Sequence, residues 1–333
     1  MDKEKKKNIR NILILIGLTV LILYFVMRDN FSSIMYQLGQ ANILWIIVAT
    51  LLFYFSLYLK SLAFAGITHE FAPKYPLFEI IRLQLATQFF NGITPLATGA
   101  HPIVALWLNK KGVDGPSSLN IVVQDFITYQ IALIILGLYA ITFNFVFHMF
   151  PANSILKHLV TIGFIVNFLV IILLYAISLN PKFNKIVTNL FVKILSKIKL
   201  VKDKDKTIAK WEEYIDNFSI GAETLLHKKN LFIKTILLNI LSLIVQFSIP
   251  LIISYSLSVT SLSLNESIIS NIYLMLIGAF IPIPVEYTFL QFFGNFIKNY
   301  AVLSAVLILW RSVTYYFVLI VSSFAIYVKR DNK

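Results

Sequence analysis

The stretch that decides the fold is LQLATQFFNGITPLATGAHPIVALWLNKKG, residues 83–112. It is apolar enough to enter a bilayer, yet two glycines and two prolines interrupt it between positions 92 and 102. Because proline lacks an N–H and clashes with the preceding turn, one unbroken helix cannot contain Pro95. A broken backbone at membrane depth is tolerated only where protein or a water-filled cavity covers it. The stretch therefore predicts two half-helices, at about 79–92 and 99–110, that form a re-entrant hairpin.

Polar side chains surround this break, and transporters place their substrate sites at such breaks. The candidate substrate-binding residues here are Gln88, Asn91, Thr94, Pro95, Thr98, Gly99 and His101. His101 stands at the start of a half-helix, where it can donate a hydrogen bond, titrate or simply pack. A proline-kinked crossing helix, whose neighbours satisfy the freed backbone groups, stays open as the alternative.

The composition indicates an all-α, polytopic membrane protein. The chain has 333 residues, of which 58% are hydrophobic and 14% charged, and its mean hydropathy is +0.78. A soluble protein of this size could not bury so much apolar surface. The net charge of +13 comes from Lys and Arg at the ends of apolar runs and in one loop, as the positive-inside rule requires. No motif indicates nucleic-acid binding, and zero cysteines exclude disulfides and thiolate sites.

The apolar runs predict six full crossings and two broken hairpins of opposite direction, within a single membrane domain over residues 1–333. The crossings are predicted at about 12–27, 43–65, 117–147, 155–178, 231–258 and 300–328. Residues 29–40 predict a short interfacial helix after the first of them. Lysines at the N-terminus and the basic C-terminal residues predict that both termini are cytoplasmic.

A basic loop, residues 181–230, joins the first half, 1–180, to the second half, 231–333. It contains 11 Lys against 6 Asp and Glu. Apolar residues recur at helical spacing within it, which is typical of amphipathic helices lying on the inner leaflet. Plain anchoring and a regulatory or partner-binding role both stay open for this loop.

A second broken segment lies at 265–298, where Pro282 and Pro284 interrupt an apolar run and Glu286 follows. Two proline-interrupted segments in matching positions of two halves are the best sequence indication of a transporter-like midplane site. A re-entrant segment here would open from the outer face, so that the C-terminus falls inside. Residues 265–281 are nearly long enough to cross, so a full crossing is the alternative.

Three ionisable residues lie at membrane depth: Asp125, Glu286 and Arg311. Each costs at least ~2.5–3.5 kcal/mol on insertion scales, so each needs a partner or a function. One cation and two acids predict a buried cluster between the halves, with Gln124 and Tyr129 beside Asp125. The cluster is either a static ion pair that fixes helix packing or a site where Arg311 holds the phosphate of an anionic lipid.

Motifs of soluble enzymes are absent: the sequence has no Walker loop, dinucleotide fingerprint, HExxH or GxSxG. Its five histidines lack ligand spacing. We therefore expect no catalytic residue, metal or cofactor. Without an ATP site, transport would be downhill or ion-coupled, with Glu286 or Asp125 carrying a proton.

Residues 90–102, FNGITPLATGAHP, resemble the lysylphosphatidylglycerol synthase transmembrane-region family, also called flippase-like membrane proteins. In the early hairpin the matching residues are Asn91, Pro95, Thr98, Gly99 and Pro102. Ala100 replaces a family glycine and His101 replaces the usual glutamine. Later in the chain the matching residues are Asp125, Pro282, Pro284, Glu286 and Arg311, although the glycines of the second family element are missing.

The resemblance implies a multi-pass protein of the bacterial plasma membrane, related to the part of aminoacyl-phosphatidylglycerol synthases that moves the modified lipid to the outer leaflet. In two-part members a cytosolic domain transfers the amino acid from tRNA. The chain ends at Lys333 after its last span, so we expect that domain to be absent and lysyltransferase activity not to reside here.

We predict a flippase-like translocase for an anionic or aminoacylated phospholipid, or a polyprenyl-phosphate lipid, at a polar midplane cavity. One alternative is the membrane part of a phosphatidylglycerol lysyltransferase system whose catalytic domain is on another chain. The other is a non-transporting scaffold whose lysine-rich loop contacts the inner leaflet or partners. Self-association into a homo-oligomer stays open.

Overall fold

The structure, a computed structural model, describes residues 24, 30–94, 100–150, 155–179, 186, 227–281 and 283–326. Every regular element in these ranges is a helix. The predicted first crossing at 12–27 and the basic loop at 181–230 lie almost entirely outside the described residues.

The helices follow one another along the chain with short connections. They are α1 (Phe31–Gly39), α2 (Ile43–Phe71), α3 (Leu77–Ile93), α4 (Ala100–Lys110), α5 (Gly115–Phe147), α6 (Ile155–Leu179), α7 (Lys229–Phe247), α8 (Ile249–Ser256), α9 (Leu264–Gly278), α10 (Val285–Phe293), α11 (Tyr300–Arg311) and α12 (Phe317–Ala325). A π-helical segment, Ser312–Tyr316, joins α11 to α12, and a kink before Pro250 separates α7 from α8.

Five helical stretches within the described ranges are long and apolar enough to cross a membrane. They are α2, α5, α6, α7 with α8, and α11 through α12. The polytopic helical fold is therefore confirmed. α2 continues six residues beyond its predicted end at 65, because Gly66 does not terminate it. A Cβ at Gly66 would lie 3.1 Å from Leu231 Cδ1, so this glycine permits close packing of α2 against α7.

The first broken stretch is a re-entrant hairpin. α3 has 17 residues and α4 has 11. At 1.5 Å per residue they measure about 25 and 16 Å, less than the ~30 Å hydrocarbon core. Lys111 Nζ lies 3.7 Å from Glu79 Oε1, so the end of α4 returns to the start of α3. This geometry excludes the kinked crossing helix, and the predicted bounds of the half-helices agree within two residues.

The second broken stretch is also a hairpin. α9 has 15 residues and α10 has nine, so neither is long enough to cross alone. They lie side by side, with the rings of Tyr273 and Phe292 5.5 Å apart. Phe150, from the turn after α5, packs against both rings. The predicted segment 265–298 is therefore re-entrant.

The two hairpins open on opposite faces. At one face, Asn42 N donates to Ser256 O at 2.8 Å, and the second hairpin begins next to this contact. At the other face, Lys228 Nζ pairs with Glu70 Oε1 at 2.5 Å. Arg82 Nε, near the start of the first hairpin, donates to Ala325 O at 3.1 Å on this second face. The last span therefore runs from the mouth of one hairpin to the mouth of the other.

Asp114 supplies a testable cap for α5, outside the span. Its side chain accepts a hydrogen bond from Ser117 N at 2.9 Å, and this bond lowers the pKa of Asp114 below its ordinary value of 3.8. A carboxyl whose pKa is lowered in the folded state stabilises it above the ordinary pKa, and that contribution is lost as the pH falls through the lowered value. We expect Asp114→Ala to cost about 0.5–2 kcal/mol at neutral pH and much less near pH 2, measured by unfolding in detergent.

The matched control is Asp114→Asn, which keeps an oxygen acceptor that does not titrate. Its stability relative to wild type should improve on acidification, because only the wild-type cap is lost. An alanine penalty that is the same at both pH values would contradict the assignment of Asp114 as a charge-dependent cap.

Candidate functional site

The last span changes helix type near the membrane middle. α11 ends at Arg311, and the next five residues are π-helical. Such π-helical insertions occur frequently at functional sites. Arg311 lies about 16 Å from the start of α11 at 1.5 Å per residue, roughly halfway through a ~30 Å hydrocarbon core.

Arg311 is paired with Glu286, in the first turn of α10. Arg311 Nε and Nη2 lie 2.8 and 2.7 Å from Glu286 Oε1. Both contacts use a single carboxylate oxygen. Among the described residues Glu286 is the only hydrogen-bond acceptor for this guanidinium. The Glu286 side chain is 8% exposed and that of Arg311 is 21% exposed, so the cation remains accessible.

Aromatic rings hold the guanidinium in place. It lies 4.4 Å from the ring of Tyr315 and 5.8 Å from that of Trp310, both within cation–π range. Trp310 stacks on Phe289 of α10 at 4.8 Å, and Phe289 stacks on Phe293 at 4.1 Å. The second hairpin and the arginine are therefore positioned by the same aromatic stack.

Tyr315 also connects this pair to the first hairpin. Its hydroxyl donates to Gly92 O at 3.0 Å, in the last turn of α3. A Cβ at Gly92 would lie 2.6 Å from Leu319 Cδ2, so this glycine lets α3 approach the last span closely. The tips of both hairpins therefore meet the last span within about one helical turn of Arg311.

A second polar group lies between α2, α4 and α5. Lys60 Nζ sits 4.7 Å from the centre of the Tyr129 ring. Asp125 lies one turn before Tyr129, and its Oδ1 is buried without a hydrogen-bond partner in the described part of the chain. Lys60 is within electrostatic range of Asp125 and His101. We call Lys60, Asp125, Tyr129 and His101 the lysine cluster.

The structure divides the predicted three-residue cluster in two. Glu286 and Arg311 meet as expected, but no ion pair joins Arg311 to Asp125 in the described ranges, and the nearby cation of Asp125 is Lys60. Sequence reasoning missed Lys60 because a span ending at 65 placed it near the inner end, where lysine is common. In the longer α2 it lies about 16 Å from Phe71, deep enough to need a partner.

The remaining predicted residues have varied positions. Thr94 Oγ1 donates to Phe90 O at 2.7 Å at the end of α3, and Pro284 precedes the first residue of α10. Gln124 is 3% exposed, and its Nε2 has no partner among the described residues. The same holds for Oδ1 of Asn91. Gln88 lies on α3, while Pro95, Thr98, Gly99 and Pro282 lie outside the described residues.

Buried polar side chains that the sequence analysis did not select extend this interior. Gln84 of α3 is 2% exposed and Asn239 of α7 is 1% exposed, and each has an oxygen without a described partner. Asn239 Nδ2 donates to Thr128 Oγ1 at 3.4 Å, beside Asp125. Their spacing on apolar helices would have indicated them, because polar groups inside spans normally face the protein interior.

The fold and the site define a multi-pass helical membrane protein with two opposed hairpins that meet at a buried ion pair. A family model, the lysylphosphatidylglycerol synthase TM region, matches residues 12–322, nearly the whole chain. The chain belongs to this family, as the resemblance of residues 90–102 predicts. No curated protein and no solved structure matches the chain.

Proposed function

We propose that this protein translocates a lipid with an anionic head group, using Arg311 as the counter-charge at the membrane middle. One observation carries the proposal: the tips of two hairpins that open on opposite faces meet at this arginine. A head group entering along either hairpin would encounter the same cation. The substrate class is an anionic or aminoacylated phospholipid, or a polyprenyl-phosphate lipid.

The geometry of the ion pair supports exchange with a phosphate. Glu286 engages Arg311 through a single oxygen, and the guanidinium is one-fifth exposed. Its remaining N–H groups can bind a phosphate oxygen in the planar fork geometry that arginine favours. A phosphate that displaced Glu286 would keep the cation neutralised, while the acyl chains stayed in the bilayer.

The charge distribution supports an orientation. Lysines 110, 111, 228 and 229 lie on the face where the first hairpin opens. We place that face in the cytoplasm of a bacterial cell, in the plasma membrane, with both termini on the same side. The lysine-rich loop, residues 181–230, would then face the anionic inner leaflet.

The family description favours a second candidate function. It is named for the TM region of a synthase, so the chain can serve as the membrane part of an aminoacyl-lipid synthase whose catalytic domain is on another chain. Under this function, loss of Arg311 would leave lipid exchange unaffected, and co-purification of a transferase would be the decisive result.

Lipid exchange in proteoliposomes tests the proposal. A fluorescent phosphatidylglycerol in the inner leaflet is followed as it becomes accessible to an external quencher. We expect Arg311→Gln to slow exchange at least about tenfold, because each lost charge-assisted hydrogen bond is worth about 1.5–3 kcal/mol. Arg311→Lys should retain part of the rate, because it keeps the charge but loses the planar fork.

Lys298→Gln is the matched control, since it removes one positive charge from an exposed residue that only contacts Gly294 O. Its exchange rate should equal that of wild type. Equal rates for wild type and Arg311→Gln, or a wild-type rate no higher than that of protein-free vesicles, would refute translocation through this site.

A further inference from the structure

The lysine cluster contains a buried carboxyl whose partner is engaged elsewhere. Asp125 and Tyr129 are four residues apart on α5, so they lie on the same face of that helix. Lys60 faces both of them from α2, and its ammonium lies over the Tyr129 ring at 4.7 Å. No Lys60–Asp125 ion pair is formed, and Asp125 Oδ1 has no partner among the described residues.

Two arrangements of this cluster are chemically balanced. When Asp125 is neutral, Lys60 can stay on the tyrosine ring, as the structure shows it. When Asp125 is ionised, an isolated carboxylate at this depth is costly unless a cation pairs with it. Lys60 can supply that pairing by moving about one helical turn from Tyr129 to Asp125.

The other groups around Asp125 are few. His101 of α4 is the one further titratable group on the facing helices near it, and its ring lies 5.3 Å from Phe126. From α7 comes the neutral Asn239. α6 and α9 contact α5 nearer its other end, through Phe164 and Tyr273. Glu286 is a weaker candidate for proton binding because Arg311 already neutralises it.

We infer that Asp125 binds and releases a proton while Lys60 alternates between Tyr129 and Asp125, and that this exchange couples lipid movement to a proton gradient. The cluster touches the first hairpin at its tip, because His101 is the second residue of α4. Movement of Lys60 would change the charge next to that tip. The coupling rests on the proposed function, whereas proton binding at Asp125 does not.

Transport under a pH gradient tests the coupling. In wild-type proteoliposomes a gradient of one pH unit should shift the distribution of phosphatidylglycerol between leaflets by up to about tenfold if one proton moves with each lipid. Asp125→Asn should abolish this shift. Tyr129→Phe should retain it, because the aromatic face that holds Lys60 is kept.

The outcomes separate the two proposals. Wild-type exchange without any response to the gradient, or the same response in Asp125→Asn, overturns the coupling and leaves translocation standing. Absence of all exchange overturns translocation. Proton binding is then decided by infrared difference spectra of the purified protein on a pH jump. The carbonyl band of a neutral carboxyl should be lost in Asp125→Asn and kept in Glu286→Gln, and the opposite result refutes the assignment.

Discussion

Glu286→Gln is expected to destabilise the protein by about 3 kcal/mol, and adding Arg311→Gln should recover most of that loss. Removing one partner of a buried ion pair leaves an uncompensated charge, which typically costs about 3–5 kcal/mol. The lower end applies because the guanidinium is one-fifth exposed. Two neutral amides at these positions can hydrogen-bond to each other, so the double variant buries no charge.

The measurement is the free energy of unfolding in detergent for wild type, both single variants and the double variant. The coupling energy from this cycle isolates the contribution of the pair. Additive single effects would show that the pair contributes little to stability. Lipid exchange by the stable double variant then separates the two interpretations of the pair. A static packing pair predicts normal exchange, whereas the proposed function predicts loss.

Gly163→Ala is expected to have the second large effect. Gly163 lies on α6 where this helix crosses α9, and a Cβ there would be 2.2 Å from Leu276 O and 2.7 Å from Leu276 C. Both atoms belong to the backbone, so no side-chain rotation can relieve the clash. The helices must move apart, which costs about 1–3 kcal/mol or more in a packed interior. Small residues at helix crossings permit this kind of close approach.

Gly278→Ala is the matched control, since it makes the same change at the end of α9, where a Cβ would meet nothing within 4 Å. The two variants are compared by midpoint of thermal unfolding in detergent and by yield of folded protein. Gly278→Ala should match or exceed wild type, because alanine favours helix by about 1 kcal/mol. Equal stability of the two variants would show that α6 does not pack on α9 as described.

The positions of the breaks and spans could be predicted because they depend on local sequence. Prolines at 95, 282 and 284 interrupt apolar runs wherever the rest of the chain goes, and helix bounds follow them within a few residues. Glu286 and Arg311 were also identified, because an ionisable group at membrane depth needs a partner regardless of which one it finds. The identity of that partner was only partly predictable, as the Asp125–Lys60 association shows.

The π-helical segment before α12 had no recognisable signal. SVTYY, residues 312–316, contains no proline or glycine, and nothing in its composition distinguishes it from α-helix. Its conformation is stabilised by tertiary contacts, among them the Tyr315 hydrogen bond to Gly92 and the Arg311 pair.

The sequence by itself determined that this is a helical membrane protein with two interrupted segments, because hydropathy and proline act locally along the chain. Only the tertiary structure decided that the hairpins open on opposite faces, that their tips meet at Arg311 and that Lys60 belongs with Asp125. Those relations depend on how each helix is rotated and how closely it approaches its neighbours. Packing of glycines and aromatic rings across distant segments sets both quantities.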